Sequence, residues 1–374
     1  MSSLTPRERE VLELVRVQPL LDAQAIADRL GSTRASVAMA LSSLTRKGAI
    51  AGRGYIVRDE AQVVVLGGAV MDVKAVTDAP AGLHTSNPAT IRTSPGGVGR
   101  NIAEGIARLG RRTFLVAALG DDVFGRELLA HTADAGVYVD HVVRGGFATG
   151  TYLATLDHDG ELVVGASDLR ATDALTVDAL GRARDLVPRA DFLVVDGNIP
   201  ADVVRWAIQA CAQHDVPLLL DPVSVAKAGR LAPLLDGSPI DTVTPNLAEL
   251  AALTGAGAPV ADTKPAITRA AAELHERGVR RVWVRRGRRG SLLSDEGTVT
   301  TLAARPAEVV DVTGAGDAMT AAYVVARTGG EGPVAAAELG HVAAALTIAH
   351  PDNVRPDLAT ALHADHPHRT ETLS

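Results

Sequence analysis

Cysteine is almost absent from this chain. Cys211 is the single thiol in 374 residues, which excludes an internal disulfide framework and a zinc site built from several thiolates. Its neighbours Ala207, Ile208, Ala210 and Ala212 point to a buried helical thiol rather than a nucleophile. Long apolar runs are missing too: no stretch approaches the ~20 residues of a membrane span. Residues 1–8 lack the basic-then-apolar pattern of a signal peptide, so the expectation is a cytoplasmic protein without a membrane partner. The net charge of −7 argues against a chain dedicated as a whole to nucleic acid. Lysine is scarce, at four residues against 33 arginines. Two familiar phosphate motifs are also missing. No glycine-rich loop ends in Gly-Lys-Ser/Thr, and no Gly-x-Gly-x-x-Gly directly follows the first strand.

What remains is a chain with 47% hydrophobic and 22% charged residues, enough for a substantial core and long enough for two or three domains. Residues 1–60 carry nine Lys/Arg against seven Asp/Glu, so the front is slightly basic while the remainder is acidic. Thr5-Pro6 opens a helix with Val11, Leu12, Leu14 and Val15. A second helix fits Asp22 to Leu30, and a third follows Gly31 with Val37, Ala40, Leu41 and Leu44. Short β-prone pieces come next, around Ala49-Ile50 and Gly54-Tyr55-Ile56-Val57. Residues 1–58 therefore read as a winged helix-turn-helix domain, with Arg34, Ser36, Ser42, Ser43 and Arg46 on the exposed side of the recognition helix. DNA is one expected partner of this domain; a module for oligomerisation or regulation is the other reading.

After Asp59-Glu60 the rhythm changes. Val63–Gly68 is a continuous apolar strand ending in glycines, and similar runs recur at Thr113–Ala118, Phe192–Asp196, Leu218–Asp221 and Val282–Val284. Helical segments at 102–109, 203–213 and 265–277 separate most of them. The alternation predicts an α/β fold, a doubly wound parallel sheet with helices on both faces, over residues 61–362. Two segments, about 72–93 and 142–166, alternate apolar and polar residues instead and read as antiparallel strands of a small β lid. Residues 363–374 read as a flexible tail.

Strands of such sheets collect ligands at their carboxyl ends. Asp72, Asp196-Gly197-Asn198, Asp221-Pro222 and Asn246-Leu247-Ala248-Glu249 all follow strand patterns. Gly96-Gly97-Val98-Gly99-Arg100-Asn101 leads into a helix, where Gly96 and Gly97 suit close backbone approach to a sugar and Asn101 could fix its hydroxyls. The densest motif is Asp311-Val312-Thr313-Gly314-Ala315-Gly316-Asp317 before an apolar helix. Glycines there let backbone N–H groups converge on an anion. Asp317 beside them is either a plain helix cap or the base that takes a proton from an attacking hydroxyl.

Taken in order, these residues resemble the ribokinase-like (PfkB) family of sugar and nucleoside kinases over roughly residues 61–360. The resemblance implies Asp317 as catalytic base, with Gly314, Ala315 and Gly316 forming the anion hole. It implies ATP as phosphoryl donor and Mg²⁺ organised through water by Asn246 and Glu249. Asp72 and Asn101 would hold ribose hydroxyls, and Asp311 and Thr313 a monovalent cation, K⁺ in the first instance. The loop Arg286–Ser291, with Gly287 and Gly290, would line the ATP phosphates. Arg285 departs from the pattern, standing where the family usually has Thr or Ser; it either binds phosphate or points outward. Asn87 in Ser86-Asn87-Pro88, Asn198, Lys227 and the late Asn353–Leu358 run are similar to bacterial pseudouridine kinases, some of which also carry an N-terminal winged helix. Lys227 is either a contact to a uracil carbonyl or a solvated surface lysine. The expected activity is phosphorylation of the 5′-hydroxyl of pseudouridine by a homodimer. The alternatives are another nucleoside or sugar (inosine, uridine, ribose), or a ligand-sensing transcription regulator.

Overall fold

A computed structural model describes residues 4–19, 21–50 and 61–365, and the chain divides into two units, Met1–Ala61 and Gln62–Ser374. In the first, α1 (Pro6–Val17) starts at a reciprocal cap: Thr5 Oγ1 accepts from Glu8 N at 3.2 Å and Glu8 Oε2 from Thr5 N at 2.6 Å. Asp22 caps α2 (Ala23–Arg29) and Thr33 caps α3 (Arg34–Arg46). Val11, Val15, Ile26, Val37 and Leu44 are wholly buried between them. Arg34, Ser42 and Arg46 are exposed on α3, with Ser36 and Ser43 half-buried. The expected wing at Gly54–Val57 lies outside the described residues, as do residues 366–374 of the expected tail.

The second unit alternates strands and helices. Its elements are β1 (Gln62–Leu66), β2 (Val70–Thr77), β3 (Ala89–Gly96), α4 (Val98–Arg108), β4 (Arg112–Val116), β5 (Ala118–Gly120), α5 (Val123–Asp134), β6 (Val143–Gly145), β7 (Thr151–Leu156) and β8 (Leu162–Asp168). There follow β9 (Phe192–Asp196), α6 (Ala201–Gln213), β10 (Leu218–Asp221), α7 (Val225–Leu231), β11 (Ile240–Val243), α8 (Leu247–Thr254), α9 (Lys264–Glu276) and β12 (Val279–Arg285). The last are β13 (Ser291–Asp295), β14 (Thr298–Leu302), α10 (Ala315–Thr328), α11 (Pro333–Ile348) and α12 (Leu358–Asp365).

Among the described residues, eight strands form one sheet in the order β14-β13-β12-β11-β10-β9-β1-β4. Along β1, Val63 and Val65 enter one core with α4, α10 and α11, while Val64 and Leu66 enter the other with α6 to α9. The sheet is parallel from β4 to β12, but β13 and β14 are antiparallel, which corrects the expectation of an all-parallel sheet. The causes are two local turns: Gly287 (φ 58°) and Gly290 (φ 77°) fold β13 back on β12, and Glu296 (φ 48°) and Gly297 (φ 89°) fold β14 back on β13. Cys211 is buried on α6 as expected, and burial pushes its thiol up to about 12.

The lid is a separate sheet in the order β3-β2-β7-β8. Its outer pairs are antiparallel, but β2 and β7 run parallel, so the expected antiparallel lid holds only within each hairpin. Residues 143–145 leave it and pair with β5 instead. Asp72 sits near the base of β2, six residues beyond the last residue of β1.

Candidate active site

Asp196, at the end of β9, is completely buried and binds three backbone N–H groups. Its Oδ2 accepts from Gly68 N at 2.8 Å and Gly99 N at 2.7 Å, and its Oδ1 from Asn198 N at 2.8 Å. Burial raises its pKa against the pull of those donors. The acid thus pins the end of β1 to the first turn of α4. A Cβ on Gly67 would lie 2.5 Å from that carboxylate, so the approach requires glycine. The sequence marked Asp196 only as a polar strand end; the telling signal was an acid closing a wholly apolar strand.

Gly314 precedes α10 at φ 78°, without any side-chain cap. A Cβ there would stand 1.9 Å from the Asn353 carbonyl, so this turn is pressed against the 351–356 segment. The N–H groups of Gly316 and Asp317 fall in the first turn, where they have no intrahelical partner. Asp317 lies in that turn and accepts from Asn101 Nδ2 at 2.7 Å. Burial pushes Asp317 up to about 7; the Asn101 hydrogen bond opposes this, and Asp221 reinforces it. Such a carboxylate is poised for proton transfer near neutral pH.

Arg100, only 1% exposed, settles which way the Asn101 amide faces. It donates to Asn101 Oδ1 and to Glu104, and to the carbonyls of Gly96 and Pro95 at 3.1 Å each. A guanidinium only donates, so the amide oxygen faces Arg100 and the NH₂ is left for Asp317. Asp72 lies under Gly96, whose Cβ would fall 2.2 Å from its carboxylate. Burial pushes Asp72 up to about 6, while Arg100 and the 3.1 Å donation from Asn353 Nδ2 pull it down.

Arg285 points inward. Its Nη1 lies 3.1 Å from Asp221 Oδ2, its Nη2 donates to Thr320 Oγ1 at 2.5 Å, and it covers the Trp283 ring at 5.4 Å. It flanks Gly316, where a Cβ would touch Nη1 at 3.0 Å, so its charge sits against the uncapped start of α10. Gly287 and Gly290 take left-handed angles in the turn after β12, and a Cβ on Gly290 would meet Leu302 O at 2.0 Å. Asn246 and Glu249 form a reciprocal cap on α8: Asn246 Oδ1 accepts from Ala248 N and Glu249 N, and Glu249 Oε2 from Asn246 N, all at 2.9 Å. Lys227 Nζ, on α7, donates to Asn198 Oδ1 at 2.5 Å, joining that helix to the segment after β9. Asn87 stands apart: it exchanges hydrogen bonds with Gly82 N (2.8 Å) and O (2.9 Å) and clips the β2–β3 loop shut.

The charges decide which ions suit the site. Burial raises Glu249, the Asn246 N–H opposes it, and neighbouring Asp221 raises it further; Asp221 also raises Asp196 and Asp317. This cluster of carboxylates beside the half-buried Arg285 would suit a hydrated Mg²⁺ held by Asn246 and Glu249. Asp311 does not fit a monovalent cation in the same way. Its Oδ1 accepts from Thr313 N at 2.8 Å and Oγ1 at 2.6 Å, and its Oδ2 lies 3.1 Å from Lys74 Nζ.

The chain is similar to known proteins along most of its length. The description "pfkB family carbohydrate kinase" matches residues 60–358. The chain is 36% identical over 321 residues to an uncharacterised sugar kinase of Escherichia coli (strain K12), covering 85% of this chain and 86% of that one. It is 35% identical over 266 residues to the pseudouridine kinase of the same organism, covering 71% and 83%. Arabidopsis thaliana ribokinase complexed with ribose and ATP superimposes with a TM-score of 0.70 at 29% identity, covering 82% of this chain and 99% of that one.

Proposed function

The chain belongs to the PfkB family of carbohydrate kinases, and from that membership we propose that it transfers the γ-phosphoryl group of ATP to the 5′-hydroxyl of pseudouridine. Transfer of phosphate to a hydroxyl of a sugar or nucleoside is the family's chemistry; the identity of the acceptor is our reading. The observation that carries it is Asp317, held by Asn101 at the uncapped start of α10. Asp317 removes the hydroxyl proton as that oxygen attacks phosphorus. The N–H groups around Gly314, Ala315 and Gly316, with Arg285 behind them, take up charge on the moving phosphoryl group. Mg²⁺ bound through Asn246 and Glu249 would neutralise phosphate oxygens.

Two things favour pseudouridine as acceptor. One is the 35% identity to a pseudouridine kinase. The other is the Lys227–Asn198 pair at the sheet's ligand edge, where burial lowers the lysine pKa and the ammonium faces an amide suited to a base carbonyl. Pseudouridine, uridine, inosine, ribose and fructose assayed side by side with ATP test the choice. A clear preference for any acceptor other than pseudouridine overturns it.

For the first unit we propose DNA as partner, because Arg34, Ser42 and Arg46 are exposed on α3. A gel-shift series at moderate salt is the check, and absence of any sequence preference counts against it.

A further inference from the structure

The resemblance led to an expected monovalent cation at Asp311 and Thr313, but the carboxylate there already has a cation of its own. Asp311 lies three residues before the anion hole, and Val310 N and Asp311 N are anchored to Ile348 O at 2.8 and 3.2 Å. A bare negative charge so close to that turn works against an incoming phosphate, so the turn needs a positive counterweight. Lys74 supplies it at 3.1 Å.

We infer that the Lys74 ammonium replaces the monovalent cation, and that this kinase works without one. The inference rests on the kinase reading of the site. The residue type supports it. Lys74 is one of four lysines beside 33 arginines, and a compact ammonium matches a monovalent ion where a planar guanidinium does not. Its place in the fold adds a second consequence. Lys74 follows Asp72 by two residues on β2, so both side chains share one face of the lid. Asp72 is tied to Asn353, whose carbonyl abuts Gly314, and Lys74 is tied to Asp311. The strand that presents the sugar-binding acid therefore also carries the counter-charge of the anion-hole turn.

Lys74 and Asp311 both line an open cavity of about 530 Å³, so ions in solution reach the pair. This makes the test direct. Full-length wild type and Lys74→Met are assayed with ATP and acceptor in K⁺, NH₄⁺ and tetramethylammonium at matched ionic strength. Their melting temperatures are recorded in the same salts without substrate. Wild type should show the same rate and the same melting temperature in all three. Lys74→Met should lose about tenfold in kcat in tetramethylammonium, less than the loss of a direct oxyanion donor because the ammonium acts through Asp311. It should regain that rate in K⁺ or NH₄⁺, and its melting temperature should rise in those salts. Wild type activated and stabilised by K⁺ overturns the inference, as does a variant indifferent to cations in both measurements. If wild type phosphorylates no acceptor, the kinase reading fails, while the melting temperatures still decide the role of Lys74.

Discussion

Two helix starts at this site solve the same problem in opposite ways. At α8, Asn246 and Glu249 satisfy the free N–H groups with side chains and close the helix off. At α10, Gly314 contributes no side chain, and the Gly316 and Asp317 N–H groups stay open beside a carboxylate raised to about 7. A closed start is a brace that also holds an acid still; an open start is a receptor. Both are written as an acid three residues after a small or polar residue, yet only the glycine version leaves donors for a ligand.

The sharpest way to break this comparison is Asp317→Asn. We expect kcat to fall ~10²–10⁴-fold, the usual worth of a general base. Folding should respond in the other direction. An acid whose folded pKa exceeds its unfolded value loses native stability as pH rises from about 4 to about 7, so the Asn variant should melt at or above wild type at pH 8. Kinetics and a thermal melt on one preparation check both halves.

Next comes a matched pair of glycines. Gly314 (φ 78°) begins α10 and Gly255 (φ 77°) ends α8; a Cβ meets Asn353 O at 1.9 Å at the first and nothing within 4 Å at the second. Both Ala variants should lose about 1–2 kcal/mol from the left-handed backbone. Gly314→Ala should also lose on the order of 10²-fold in kcat, as when an oxyanion donor is displaced, whereas Gly255→Ala keeps its rate. Urea melts and steady-state rates separate the two.

A smaller effect concerns pH. The wild-type rate should climb through about 7 and level off as Asp317 ionises. Asn101→Ala removes a donor that favours the ionised form, so its profile should move to higher pH, with a deficit larger at pH 7 than at pH 9. A pH series of kcat reads this.

The smallest effect is expected at the closed start. Asn246→Ala should cost about 1 kcal/mol of stability as a lost N-cap, and raise the Mg²⁺ concentration needed for half-maximal rate. A Mg²⁺ titration together with a urea melt tests the double role.

Most of the site could be read from the chain because its parts are local. The heptapeptide ending in Asp317, the Gly96–Asn101 turn and Asn246-x-x-Glu249 each declare their chemistry within seven residues. The missed features are those made by distance. Nothing near Asp196 in sequence shows that it will hold Gly68 and Gly99. Arg100 reads as one more helical arginine until burial makes it the orienter of Asn101. Arg285 looked like a departure with two outcomes, and only Asp221, 64 residues earlier, explains why it turns inward. The bonds of Asn87 to Gly82, which clip the β2–β3 loop, were likewise not legible in its triplet. The β13–β14 hairpin has a local signal too: Glu296-Gly297 between two short segments that mix apolar residues with Ser and Thr marks a turn.

The reach of Asp196 also bears on how the protein is made. Its bonds to Gly68 and Gly99 span 128 and 97 residues, so a chain emerging from the ribosome carries both glycines long before the acid that positions them. The base arrives later still, and Asn353, which holds Asp72, last of all. Synthesis at ~5–20 residues per second therefore leaves an interval of several seconds to tens of seconds in which the glycine turns are present but unassembled. A nascent chain halted within that interval has the first motif but neither Asp196 nor Asp317.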